Sequence, residues 1–410
     1  MIKRAPLKIR LKQYSRYPLG LIGVAVVVLL AINLIGTRHP AAQGQLDDRY
    51  TKSLTMKWLA QCYTQDCVNQ GMENITKNAG PEAALASLHY YVDNVPNYLP
   101  GDNHLRAHHV GYQLFRSYGL STKVFLECGS DFNNGCMHGY IEEAETHIKG
   151  SSASTLADEL CKPILAGSAY SYNQKHFCYH GIGHAIMEDV NYDLTAALNQ
   201  CDAFGNQIAQ IGCWQGAFME NEWGYVSHII DNGTFSKTDP MAPCDNVAEK
   251  YVTQCYMNQE GYLFYRYDND FQKSAQACVA AGDNAGVCVE SLGLAATAES
   301  WQPLLLKDQN AGSLESNAWL LCQEAPKAYA SNCVIGAVFN ILALDGLDFK
   351  RSSIFCGLVG SSFQRDCFSS IGQYAWVQTP APNPPKVESY CLQLPADWQA
   401  ACREGAKQHY

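Results

Sequence analysis

Nine of the 12 histidines in this chain fall between His89 and His184, and only His228 and His409 follow them. Neutral imidazole is the most frequent side-chain nitrogen ligand for transition metals, so a concentration of this kind points to metal chemistry. His180 and His184 stand four apart in Cys178-Tyr179-His180-Gly181-Ile182-Gly183-His184-Ala185. Residues i and i+4 share one helix face, which lets both rings reach one ion. One segment earlier, Cys136-Met137-His138-Gly139-Tyr140-Ile141-Glu142 puts His138 and Glu142 at the same two offsets from a cysteine. Upstream, His104, His108 and His109 form H-x-x-x-H-H. In the segment after His184 the equivalent positions are Gln215 and Met219, so the pattern fades there. The expected ligand set is His104, His108, His138, Glu142, His180 and His184, enough for one or two transition-metal ions. Fe, Zn and Cu are not distinguished by it, although the carboxylate favours Fe or Zn over Cu(I).

Other chemistries have less support. The sequence has no G-x-S-x-G, no H-E-x-x-H and no phosphate-cradling glycine loop. There is no C-x-x-C, which removes the usual zinc-ribbon, thioredoxin and c-type haem signatures. A haem with histidine axial ligands fits less well, because carboxylates accompany the imidazoles. The H-x-x-x-H boxes are similar in spacing to those of membrane desaturases and hydroxylases with two irons. Here the boxes fall outside any apolar segment and the several further spans of that family are missing, so the family is not assigned. The aromatic stretch Tyr262-Leu263-Phe264-Tyr265-Arg266-Tyr267 reads as core and rim of a helix pair.

The elements that must position these residues are written in cysteine couples. The 18 cysteines fall at 62/67, 128/136, 161/178, 201/213, 244/255, 278/288, 322/333, 356/367 and 391/402. Counting from Cys178, the second members are 35, 42, 33, 45, 34 and 35 residues apart, near the size of a helix-turn-helix repeat. The spacing predicts that each disulfide joins the end of one helix to the start of the next. Glycine recurs three residues after the second cysteine, at Gly139, Gly181, Gly216, Gly336 and Gly405. Glycine costs about 1 kcal/mol against alanine within a helix, so its recurrence predicts close helix-helix approach. Strand signals are sparse. The expected fold is all-α: an N-terminal transmembrane helix, then an α-solenoid-like array of disulfide-stapled helical hairpins.

Residues 1–16 carry six basic residues and no acid, and 19 uncharged residues follow from Pro18 to Gly36. This pattern predicts a basic cytoplasmic tail (1–16), a single-pass signal-anchor helix (17–37) and a juxtamembrane linker (38–56). Histidine-rich repeats (57–225) and further stapled repeats (226–410) would form a periplasmic or extracellular body. The body is acidic within a net charge of −10, which argues against nucleic acid as a partner. Two functions fit these features. One is a membrane-anchored extracytoplasmic metal-binding protein, with a metal-dependent oxidoreductase or hydrolase as the sharper form. The other is a non-catalytic scaffold that offers a protein partner the concave face of the repeats.

Overall fold

A computed structural model of the chain describes residues 48–407, except 97–98, 100–101, 148–151, 229–232, 237, 299–300, 307–311, 346 and 381–382. The tail, the anchor helix and residues 38–47 of the linker lie outside the described residues. Among the described residues the fold is all helical, with one isolated bridge between Ser171 and Pro380. None of the described helices is long and apolar enough to cross a membrane.

All nine cysteine couples are bonded as their spacing predicts, and no cysteine is free. Such a set fits an oxidising compartment outside the cytosol. The part of the linker from residue 48 onward is a helix, α1 (Asp48–Trp58). It buries Thr51 and Thr55, and the Thr55 hydroxyl bonds the carbonyls of Thr51 and Ser87. A polar side chain anchors this helix, which apolar periodicity does not reveal. Next come α2 (Gln65–Ala79) and α3 (Pro81–Asn94), whose packing partners include α4 (Asn103–Tyr118).

Four crossed helix pairs carry the body. They are α4 with α5 (Asp131–His147), α6 (Tyr172–Asp189) with α7 (Gln207–Val226), α8 (Ala285–Ala296) with α9 (Ala330–Asp345), and α10 (Ser361–Val377) with α11 (Gln399–Gly405). Each pair crosses on the same two glycines. Gly139, Gly216, Gly336 and Gly405 lie against the backbone carbonyls of His108, His180, Glu290 and Ser369. In return, Gly111, Gly183, Gly293 and Gly372 lie against the carbonyls of Cys136, Cys213, Cys333 and Cys402. A side chain at any of these eight sites would overlap backbone. The second cysteine of four couples, Cys136, Cys213, Cys333 and Cys402, therefore sits at a crossing and is tied by its sulfur to the preceding segment. Gly181 differs, since it makes room for the Ile141 side chain of α5.

The array is not an open solenoid. In an open array each repeat touches only its sequence neighbours. Here α5 packs on α6 and also on α9, and Asn133 Nδ2 donates to Asn340 Oδ1 at 2.9 Å. The chain thus folds back, and the third crossed pair covers the first. The hydrogen bond in this long-range contact joins two polar side chains, which hydrophobic periodicity does not register.

Two predictions follow from the packing. Gly216→Ala should destabilise the protein by at least about 2 kcal/mol in urea unfolding, because overpacking forces backbone shifts. Gly205→Ala, where a Cβ would meet nothing within 4 Å, should change little; equal effects would contradict the crossing. The second prediction concerns Glu290, whose carboxyl burial pushes up to about 7 from 4.5. The folded state keeps its proton while the unfolded state loses it. Stability should therefore fall as pH rises from about 4.5 to about 7, by up to about 3 kcal/mol. Glu290→Gln should flatten that slope, and an unchanged slope would refute the assignment.

Candidate metal centre

Helix α4 opens on an Asp102 cap that accepts from Leu105 N–H and places His104 in the first turn, with His108 one turn on. Facing it, α5 begins with Phe132, Asn133 and Asn134 in the left-handed region, at φ of 51°, 54° and 61°. This conformation is costly for a bulky residue such as Phe132. It aims the Phe132 carbonyl at His104 Nδ1, 2.8 Å away. The glycine crossing then sets His138 of α5 against both α4 imidazoles.

The first triad is His104, His108 and His138. His104 Nε2 lies 3.0 Å from His108 Nε2 and 3.3 Å from His138 Nδ1. His104 Nδ1 faces a carbonyl, which only accepts, so it carries the ring hydrogen. His108 Nδ1 lies 3.1 Å from Glu142 Oε2 and donates to it. A neutral imidazole has one N–H and one lone pair, so both Nε2 lone pairs point into the same space. A tetrahedral ion with metal–nitrogen bonds of about 2.0–2.1 Å sets its ligand nitrogens about 3.3 Å apart, close to these separations.

The second triad is His138, His180 and His184. His184 Nε2 lies 3.1 Å from His180 Nε2, and His184 Nδ1 lies 2.9 Å from Glu220 Oε2. Glu220 thus does for His184 what Glu142 does for His108. Each carboxylate also accepts from a tyrosine: Tyr112 to Glu142 at 2.6 Å, and Tyr192 to Glu220 at 2.8 Å. A carboxylate behind a ligating imidazole fixes its tautomer and raises its basicity. His138 Nε2, His180 Nδ1 and His176 Nδ1 are buried without a hydrogen-bond partner. A buried nitrogen left unpaired costs about 1–3 kcal/mol.

Burial disfavours the charged form of three of these rings, His104, His138 and His180. Burial, reinforced by repulsion from His108, lowers His104 to about 4. Burial and the charges of four neighbouring histidines hold His138 well below the usual imidazole range. Burial, then His184, His176 and His104, do the same to His180. Burial tends to raise Glu142, but the charge of His108 and hydrogen bonds from His108 and Tyr112 prevail and hold it at about 2. Beside it, burial and the charges of Glu188 and Asp189 push Glu145 up to about 8. Burial, then Glu220 and Glu142, also raise Glu188. The centre is thus a set of buried and half-buried imidazoles edged by crowded carboxylates.

Of the six residues the sequence singles out, five histidines come together. Glu142 joins neither triad and holds the far side of His108 instead. His109 lies outside the cluster, 2.7 Å from Glu73 Oε1. His89 stacks on Phe132. His176 Nε2 lies 2.6 Å from Gln215 Oε1, next to the second triad. Sequence reasoning missed Glu220, Tyr112, Tyr192 and the Phe132 carbonyl. Glu220 stands one residue beyond the offset where a carboxylate was sought, at Met219. Farther along the chain, Tyr262 is buried while Tyr265, at 46% exposure, lines a cleft, which agrees with the core-and-rim reading. Comparison of the chain with protein-family models, curated proteins and solved structures finds no match, so the functional reading rests on this geometry.

Proposed function

We propose that this chain is an extracytoplasmic metal-binding protein whose ions are held by His104, His108, His138, His180 and His184. The observation that carries the reading is the first triad. Its three ring nitrogens converge while the Nδ1 hydrogens of His104 and His108 are committed to Phe132 and Glu142. A proton on His108 would reconcile the two Nε2 atoms. The Nδ1–H of His138 can donate to the same His104 nitrogen, but that arrangement leaves His138 Nε2, a bare acceptor, buried with no donor.

The ligand set on this reading is imidazole only. Glu142 acts behind His108, so no carboxylate tilts the choice toward Fe or Zn over Cu(I). Three protein nitrogens leave a coordination position open, as in catalytic rather than structural sites. An ion there would supply Lewis acidity or, if redox-active, an electron. Glu145, protonated at neutral pH, is a proton donor close to the Glu142 edge. These features support the sharper reading as a metal-dependent oxidoreductase or hydrolase. We extend the proposal to anchoring through residues 17–37, which the basic and apolar pattern of the N-terminus supports.

The test is elemental analysis after expression with Fe, Cu and Zn supplied. The wild type should hold at least one ion per chain. His104→Ala should lose the first site's ion while circular dichroism stays unchanged. Glu142→Gln should weaken that site by about 10–100-fold, the usual cost of removing a carboxylate behind a ligating imidazole. A well-folded wild type free of stoichiometric metal would favour the scaffold reading instead.

A further inference from the structure

His138 belongs to both triads. Its ring centroid lies 5.1 and 5.8 Å from those of His104 and His108, and 5.0 and 5.4 Å from those of His180 and His184. The side chain sits between the two pairs and is buried to 4% exposure. Its Nδ1 approaches His104 Nε2, while its Nε2 is buried with no partner.

Building on the metal-binding reading, we propose that His138 bridges two metal ions as an imidazolate. Nδ1 would complete the site of His104 and His108, and Nε2 that of His180 and His184. The chemistry balances simply. Two divalent cations bind, six metal–nitrogen bonds form, two of them to His138, the N–H bond of His138 breaks, and its proton leaves to solvent. No electron is transferred. Each ion then has three imidazole nitrogens, two from i and i+4 on one helix and one from the shared ring. With metal–nitrogen bonds of about 2.0 Å on either side of the five-membered ring, the ions would stand about 6 Å apart.

Three observations favour a bridge over two separate sites. No other histidine belongs to both triads, so neither reaches three nitrogens without His138. The orphaned Nε2 gains a partner only if the second ion is bound. The two outer pairs are built alike, each with Nε2 atoms about 3 Å apart and one Nδ1 on a carboxylate that also accepts from a tyrosine. A bridged pair placed in this way suits two-electron chemistry or activation of a small molecule between the ions.

The test is titration of the full chain, stripped of metal by chelator, with Cu(II) alone, followed by electron paramagnetic resonance. An imidazolate couples two Cu(II) spins antiferromagnetically. The wild type should retain two equivalents, and the low-temperature signal should rise over the first and then fall, losing most of its intensity as the second binds. His138→Ala should remove the coupling, so that whatever copper it holds gives a full signal. Two equivalents with two full spins in the wild type, or saturation at one equivalent, would overturn the bridge and leave the metal-binding reading standing. The bridge would also fall if signal loss persisted in a folded His138→Ala. No retained copper would overturn both. The wild-type titration decides even if the variant fails to fold.

Discussion

The close crossing of paired helices on glycine is the constraint from which the rest of this structure follows. Backbone lies against backbone at Gly139 and His108, and again at Gly216 and His180. That contact fixes the register of the two helices and so the placement of the residues beside it. His138 is adjacent to Gly139, and His108 and His180 supply the carbonyls that the glycines cover. The disulfides fix where each crossing lies, since the second cysteine of the couple forms part of it. The same frame in the later repeats carries Glu290 and Ser369 at the position of His108 and His180. The scaffold is thus repeated four times, while the histidine chemistry is confined to its first two units.

Burial and hydrogen bonding then set the character of the centre. Taking imidazoles out of water disfavours their charged form, and their mutual repulsion adds to that effect. For His104, His138 and His180 the balance favours the neutral form, the one that binds a metal. Acceptors behind His104, His108 and His184 decide which nitrogen keeps its lone pair. One acceptor is a carbonyl in a left-handed turn, and the other two are carboxylates held by tyrosines. The strained turn at Phe132–Asn134 and the tyrosine–carboxylate pairs are the kind of feature that packing alone does not require.

Much of this was legible in the sequence. Short, regular cysteine couples have few geometric solutions, so local pairing and helical hairpins followed. Glycine at a fixed offset from cysteine marked the crossings, at a position where glycine otherwise weakens a helix. His180 and His184 were readable because four residues span one helical turn. What could not be read depends on distant contacts. The fold-back through Asn133 and Asn340 joins positions more than 200 residues apart. Glu220 reaches His184 from another helix, at an offset that does not match the repeat. Glu142 is a related case: spacing puts it on the right face but does not say that its carboxylate approaches the His108 ring.

In the proposed centre, imidazole nitrogens alone from this chain would hold the ions, with carboxylates one layer behind. X-ray absorption at the edge of the metal that copurifies with the protein tests this directly. The expected spectrum shows a shell of nitrogen at about 2.0 Å with the outer-shell pattern of imidazole rings, and no sulfur. A sulfur shell near about 2.3 Å, or an oxygen shell without imidazole, would contradict it.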